Sequence, residues 1–423
     1  MTVLIVTFTY PPARSVNGFR PRHFAKAMVE KGWEVRVLTR HFTGKENSAE
    51  DYRKPLNTAF SISEEEGVHV YRTPFKNSWF TYYENVFLRR TGLWKVVYLI
   101  QLFAGRTCQE SYNSYFSKYL SLVLKTKKPD IILVESGPTN LVRLVSQRAV
   151  KCGIPYAIDF RDLYYHEMYR DFSGLPWNKK IKIRLEEWYM RKAIRDASKI
   201  VSLNTTWLEI LKVPVGKRLV VSNGFDGFAW DHTVPRKDLD HFTISVVGTI
   251  YARPFLDIFL NALDRFLRLK NQRVRVRFIA PGQQETIQKI RRVLPYPEVE
   301  LEEIQWPYEK AISLMAASDV LMYHGWPGYR QLVSAKIYDY IRSGARILIV
   351  PADQNGLDDL VRQTGSGISC TTAEDGAAQL EAWYRDWESG NINQKKVSGE
   401  GLTRFSREYQ ANILVNALNE MER

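Results

Sequence analysis

Cysteine is scarce. The three in 423 residues, Cys108, Cys152 and Cys370, stand far apart and form no CxxC pair. That set suits a reducing compartment and excludes both a disulfide scaffold and a structural zinc site. Long apolar runs are lacking as well. The best stretch, Trp94 to Gly105, is broken by Lys95 and Gln101 and falls short of the ~18 residues a membrane span needs. The opening MTVLIVTFTYPP carries no basic n-region and no small-residue cleavage site, so it reads as a first strand and not a secretory signal. No GxGxxG occurs, which argues against a nicotinamide dehydrogenase. Helix-turn-helix and zinc-finger spacings and RNP-type aromatic motifs are missing too, which sets nucleic acid aside as a partner. There is no internal repeat and no low-complexity tract.

What is present describes a globular chain, 45% hydrophobic and 25% charged. Its length predicts two or three domains at ~100–200 residues each. Lysine and arginine number 60 against 46 acids, a net charge of +14. Such an excess favours anionic partners, among them acidic lipid and phosphorylated substrates.

Short apolar runs alternate with helical stretches along the whole chain, the pattern of βαβ units and parallel sheets. In the first half, strands are expected at Val3–Phe8, Glu34–Leu38, Ile131–Val134, Tyr156–Asp159, Ile200–Leu203 and Lys217–Asn223, with a helix at Pro21–Lys31. Asp226 to Asp240 is polar and aperiodic and reads as a linker. The pattern then restarts with strands at Thr243–Val247, Val274–Ile279 and Val320–Tyr323 and helices at Phe255–Leu269, Thr286–Val293 and Tyr308–Ala317. Further helices are expected at Gly356–Arg362, Ala377–Trp387 and Gly401–Met421. The fold class is α/β, with two Rossmann-like domains facing a cleft. Residues 1–225 form the first, 241–400 the second, and a helix at 401–423 crosses back to the first.

In open α/β sheets ligands bind beyond the carboxyl ends of strands. After the first strand come Tyr10-Pro11-Pro12 and then Asn17-Gly18 at a helix start, where free N–H groups and glycine favour an anion; Arg20 and Arg22 add cations. Later strands end in Glu135-Ser136-Gly137 and in Arg161-Asp162, where Asp159 and Asp162 are set to cap or to orient a hydroxyl. In the second half, Gly248-Thr249 is followed by Arg253 at a helix start, and His324 to Arg330 is a glycine-rich loop containing Gly328. The segment Gln331 to Pro351 reads as a helix ending at Gly344 and running into a buried strand. Lys336 and Asp339, three apart, share one helix face. On spacing alone they are a surface ion pair or a nucleotide grip, the cation on phosphate and the carboxylate on ribose.

Together these motifs resemble the GT-B glycosyltransferases of the retaining group 1, or family 4, type. The resemblance rests on Tyr10-Pro11-Pro12 with Gly18, Ile158 to Leu163, Asn223-Gly224-Phe225-Asp226, Gly248 with Arg253, and Ser334 to Tyr340. It covers nearly the whole length. It implies that the second domain binds a nucleotide-diphosphate sugar through Gly248, Thr249, Arg253, Gly328, Gln331, Ser334, Lys336 and Asp339. It implies that Arg253, Lys336, Gly18 and Asp162 serve catalysis, and that Tyr10, Asn17, Arg20, Ser136 and Arg161 lie on the acceptor side. Neither cofactor nor metal is implied, because cations and helix N-termini stabilise the leaving diphosphate.

Two positions depart from the family pattern. Gln331 stands where the first of two glutamates is usual, with Asp339 at the second. Arg161 stands where a histidine often precedes the aspartate, and arginine cannot act as a base. These departures leave room for an alternative, a nucleotide-sugar-binding relative with altered or no transfer chemistry. A sugar-nucleotide epimerase of the same fold would need an acidic and histidine set that is not apparent. Aromatics from Phe75 to Phe103, interleaved with Lys76, Arg89, Arg90 and Lys95, and a basic run from Lys179 to Arg184 suit an anionic membrane surface. The expected acceptor is a saccharide or lipid-linked saccharide, and the expected location is cytoplasmic, on the inner face of the membrane.

Overall fold

The computed structural model describes residues 1–13, 16–46, 54, 56, 58–75, 113–137, 139–162, 174–175, 177–235, 237–250, 255–269, 273–304, 306–328, 333–390 and 399–421. The chain divides into two compact units, Met1–Ser222 with Gln410–Arg423, and Asn223–Tyr409.

The first unit is built on strands β1 (Thr2–Val6), β2 (Glu34–Arg40), β3 (Ser61–Glu65), β4 (Val68–Thr73), β5 (Ile131–Glu135), β6 (Tyr156–Phe160), β7 (Lys199–Ser202) and β8 (Arg218–Val220). They form one sheet in the order β3-β4-β2-β1-β5-β6-β7-β8. All neighbours are parallel except β3, which returns antiparallel on β4. Val3 pairs in register with Val35 and with Ile131. Buried β-branched runs such as TVLIV and IILVE suit a sheet covered on both faces. Side chains alternate between those faces. Leu4, Val6, Ile132, Val134 and Ile158 meet helices α2 (Asn113–Thr126), α3 (Thr139–Cys152) and α4 (Trp177–Asp196) on one side. Val3, Ile5, Val35, Val37 and Leu133 meet α1 (Val16–Glu30) on the other. A short helix α5 (Thr205–Ile210) follows β7, capped by Asn204.

The second unit opens with α6 (Gly227–Asp231). Its strands are β9 (Phe242–Val247), β10 (Val274–Ile279), β11 (Val299–Glu302), β12 (Val320–His324), β13 (Arg346–Val350) and β14 (Gly367–Ser369), in the order β11-β10-β9-β12-β13-β14, all parallel. Helix α7 (Leu256–Arg268) buries Leu256, Phe259, Leu260, Leu263, Phe266 and Leu267, the i, i+3, i+4, i+7 stripe of a core-facing helix. Helices α8 (Gln284–Val293), α9 (Tyr308–Ala317), α10 (Lys336–Ser343), α11 (Gly356–Thr364) and α12 (Ala373–Glu388) complete the two layers. Helix α10 stops at Gly344, whose φ of +76° takes the left-handed cap that glycine adopts without strain.

Three expectations need correction. The first helix begins at Val16, so Gly18 lies within its first turn and not in a preceding loop. The stretch expected as an aperiodic linker contains α6, capped by Asp226 and carrying a buried Trp230. The long C-terminal helix is two, α13 (Gly399–Thr403) and α14 (Arg407–Asn419). Ala411, Leu414, Val415 and Leu418 of α14 enter the core of the first unit, and Ser222 N–H donates to Gln410 Oε1 at 2.8 Å.

Candidate active site

Strand order reverses at β9, which lies between β10 and β12. Ligands of open α/β sheets bind at such a switch. Beyond the end of β9 stands Gly248, at φ +86°. A Cβ there would lie 3.7 Å from Lys336 Cδ and 4.0 Å from its Nζ, so the lysine crosses directly over the glycine. Lys336 Nζ donates to Thr249 O at 3.2 Å and sits 5.0 Å from the centre of the Tyr323 ring. The Tyr323 hydroxyl donates to Ser334 Oγ at 2.8 Å. Helix α10 is pinned to β9 beneath them, because Val247 N–H donates to the Tyr340 hydroxyl at 2.9 Å. Burial draws the Lys336 ammonium down to about 8 from its ordinary 10.5. Gly248, Thr249, Ser334 and Lys336, expected at the nucleotide site, thus gather around Tyr323. Gly328 lies on the loop after β12, with open space where a Cβ would stand. Arg253 and Gln331 lie outside the described residues.

Asp339 does not pair with Lys336. Its Oδ1 accepts from Trp230 Nε1 at 2.9 Å and from the Tyr308 hydroxyl at 2.6 Å, in buried surroundings. The surface ion pair permitted by the i,i+3 spacing is therefore not formed. Burial pushes the Asp339 carboxyl up, opposed by Arg407 and by the two donors. Trp230 and Tyr308 escaped the sequence reading, because a tryptophan in a polar stretch and a tyrosine at a helix start gave no sign of sharing one carboxylate.

In the first unit the order reverses between β1 and β5, and a buried polar network lies at those strand ends. Glu135, the last residue of β5, accepts from Thr7 Oγ1 and, at 2.7 Å, from Arg161 Nη1. Arg161 Nε also donates to Asp162 Oδ2 at 3.4 Å. Burial pushes the Glu135 carboxyl up, opposed chiefly by Arg161. Arg161 and Asp162 are therefore brought together, with Glu135 behind them. A carboxylate closing an apolar strand was the signal available for Glu135.

Other acceptor-side expectations fare differently. Arg20 is spent inside the unit: it forks onto Asp159 at 2.8 and 2.9 Å and donates to Ser222 O and Val221 O. Tyr10 is packed in the core, and burial pushes its hydroxyl up. Arg20 therefore has its donors taken within the unit, and Tyr10 is buried in its core. Arg22 pairs at the surface with Glu66. Ser136 is buried, its N–H donating to Asp159 O at 2.9 Å. Asn17 and Gly18 belong to the first turn of α1, where a Cβ on Gly18 would lie 3.5 Å from the Tyr10 backbone.

With this geometry established, the similarities fall into place. Residues 18–224 match the family model described as a glycosyl transferase 4-like domain. No curated protein matches the sequence. Among solved structures, sucrose-phosphate synthase from Thermosynechococcus elongatus is similar with TM-score 0.65 and 13% identity, over 100% of this chain and 99% of that one. HepE of Anabaena, in complex with UDP and glucose, gives 0.61 and 12%, over 99% and 100%. A UDP-forming α,α-trehalose-phosphate synthase from Burkholderia vietnamiensis gives 0.61 and 12%, over 100% of both chains. The fold is GT-B, the two-domain architecture of these glycosyltransferases. The first half of the chain is the part that matches a glycosyl transferase 4-like domain. These findings bear out the fold, the resemblance and the glycosyltransferase class read from the motifs.

Proposed function

We propose that this protein is a retaining, metal-independent glycosyltransferase that moves a sugar from a nucleoside-diphosphate donor to a saccharide or lipid-linked saccharide in cell-surface glycoconjugate synthesis. The observation that carries the reading is Lys336 lying over Gly248 at the switch point of the second sheet. The donor's diphosphate binds there, and UDP is the first nucleotide to test because HepE was solved with it. In transfer, the bond from sugar C1 to the diphosphate oxygen breaks and its electron pair stays with the phosphate. The acceptor oxygen bonds C1 on the same face, and its proton goes to the departing diphosphate. Lys336 stabilises the charge that develops there. Arg253 adds a second cation, while Arg161 and Asp162 meet the acceptor. A donor screen with several nucleotide sugars tests this reading, and turnover of none would refute it.

Charge state gives a further test. Lys336 is protonated below a pKa of about 8 and neutral above it. UDP affinity should hold steady near neutral pH and fall as pH rises through about 8, by up to tenfold per unit where the neutral lysine binds no anion. Calorimetry across this range reads the midpoint, and a pH-independent affinity would remove Lys336 from the diphosphate.

The protein also works at the anionic inner face of the cytoplasmic membrane. The contact proposed is peripheral; among the described residues no helix is long and apolar enough to cross a membrane. The aromatic and basic stretch from Lys76 to Phe103 lies outside the described residues. Helix α4 supports the reading instead. Trp177 and Trp188 are 55% and 57% exposed, and with Arg184, Arg191 and Arg195 they recur at helical spacing along one face. Tryptophan with arginine suits a headgroup layer. Vesicles with anionic lipid should pellet the protein at low salt and release it at high salt, and Trp177→Ala with Trp188→Ala should weaken pelleting several-fold. Equal pelleting on neutral vesicles would overturn docking by charge.

A second reading, a nucleotide-sugar binder without transfer, draws on Asp339, whose Oδ1 is engaged by Trp230 and Tyr308. Tight donor binding with no release of nucleotide under any acceptor would favour it.

A further inference from the structure

Tyr323 is the next-to-last residue of the buried strand β12 and is 2% exposed. No motif singled it out, yet it touches two groups of the candidate diphosphate site by two different parts. Its ring faces Lys336 Nζ at 5.0 Å. Its hydroxyl donates to Ser334 Oγ at 2.8 Å. We infer that Tyr323 is the positioning residue of the anion site, its ring holding the Lys336 ammonium over Gly248 and its hydroxyl turning the Ser334 proton toward a bound phosphate oxygen. This deepens the reading of Lys336 as the diphosphate cation and rests on it.

The two halves of the inference have separate physical causes. A cation over an aromatic face is attracted to the ring's negative quadrupole. That attraction favours the charged lysine and offsets part of the burial that draws its pKa down. The hydroxyl acts through direction. A serine oxygen that accepts one hydrogen bond keeps a single proton of its own to donate. Tyr323 supplies the accepted bond from the protein interior, so the serine proton is set away from the tyrosine. The ring itself is held. It packs edge-on against Tyr340 at 6.2 Å, and Tyr340 is tied to both backbone groups of Val247. The position of Lys336 is therefore coupled to the strand end that carries Gly248.

Calorimetric titration of the full chain with UDP tests both halves. Tyr323→Phe and Ser334→Ala should each weaken UDP by roughly three- to tenfold. The double variant should be no weaker than either single one, because both remove the same relay. Tyr323→Phe keeps the ring and should leave the pH midpoint of UDP affinity where it is. Tyr323→Leu keeps the site dry but removes the ring face, so the midpoint should fall by about half a pH unit. Additive losses in the double variant would overturn the relay, and an unmoved midpoint in Tyr323→Leu would overturn the ring's role. Lys336→Ala run in parallel separates the two levels. If it leaves UDP affinity intact, the diphosphate reading itself fails. If it weakens UDP while the tyrosine variants do not, only the positioning role fails.

Discussion

Replacing Lys336 with alanine lowers sugar transfer by about 10²–10³-fold, the ~3–4 kcal/mol typical of one group that meets charge developing in a transition state. The folded state should tolerate the change. Lys336 is half-buried and its ammonium is disfavoured by its surroundings, so its removal relieves a desolvated charge. Alanine is also the best helix former, and position 336 begins α10. Thermal melting should therefore match the wild type while turnover collapses. Lys336→Arg should rescue poorly. The planar fork is larger than an ammonium and directs its donors differently, so it does not place its charge where the lysine Nζ stands beside Gly248 and Thr249 O. Full turnover in Lys336→Ala, measured with a donor the wild type uses, would sink the assignment.

Much of the fold was legible because burial on both faces leaves a plain mark. Continuous apolar runs such as Ile131–Val134 and Ile347–Val350 have few readings other than central strands. The amphipathic stripe of α7 was equally plain. What stayed hidden depends on contacts far apart in sequence. β3 alternates half-buried and exposed positions at the sheet's edge and contains four polar residues in five, so its text resembles a loop. Helix α6 has five residues and contains Gly227; nothing local reveals that Trp230 would be buried and donate to a carboxylate 109 positions away. The C-terminal helix breaks because Phe225 N–H donates to Phe405 O and Arg407 N–H to Phe225 O, a pairing no window of the sequence contains.

The site was legible as a set of addresses and less so as a set of roles. The strand-end rule located Gly248, Thr249, Ser334 and Lys336, and they gather. It also located Arg20 and Arg161, which look alike as text. Their neighbours divide them. Arg161 has a buried glutamate on one side and the half-exposed Asp162 on the other, whereas Arg20 faces a buried aspartate and two backbone carbonyls. Whether an arginine serves a ligand or the fold depends on which acceptors it reaches, and those lie 139 and more positions from Arg20.

That difference makes Arg20→Ala the second large effect, and its target is stability. The Arg20–Asp159 pair has side chains only 7% and 4% exposed. Removing one partner of a buried pair leaves the other charge uncompensated and costs about 3–5 kcal/mol. Here the loss also strips donors from Val221 O and Ser222 O, the stretch that leads out of the first unit. The melting transition of the first unit should fall by roughly 10 °C, at the few degrees per kcal/mol expected for ~200 residues. Arg20→Met with Asp159→Leu should recover part of the loss, since it removes both charges, and not all of it, since the two carbonyls stay without their guanidinium. UDP affinity, which the proposed function assigns to the other unit, should be unchanged in the fraction that remains folded. An acceptor-binding arginine would behave in the opposite way, with melting unchanged and acceptor KM raised. That outcome would return Arg20 to the active site.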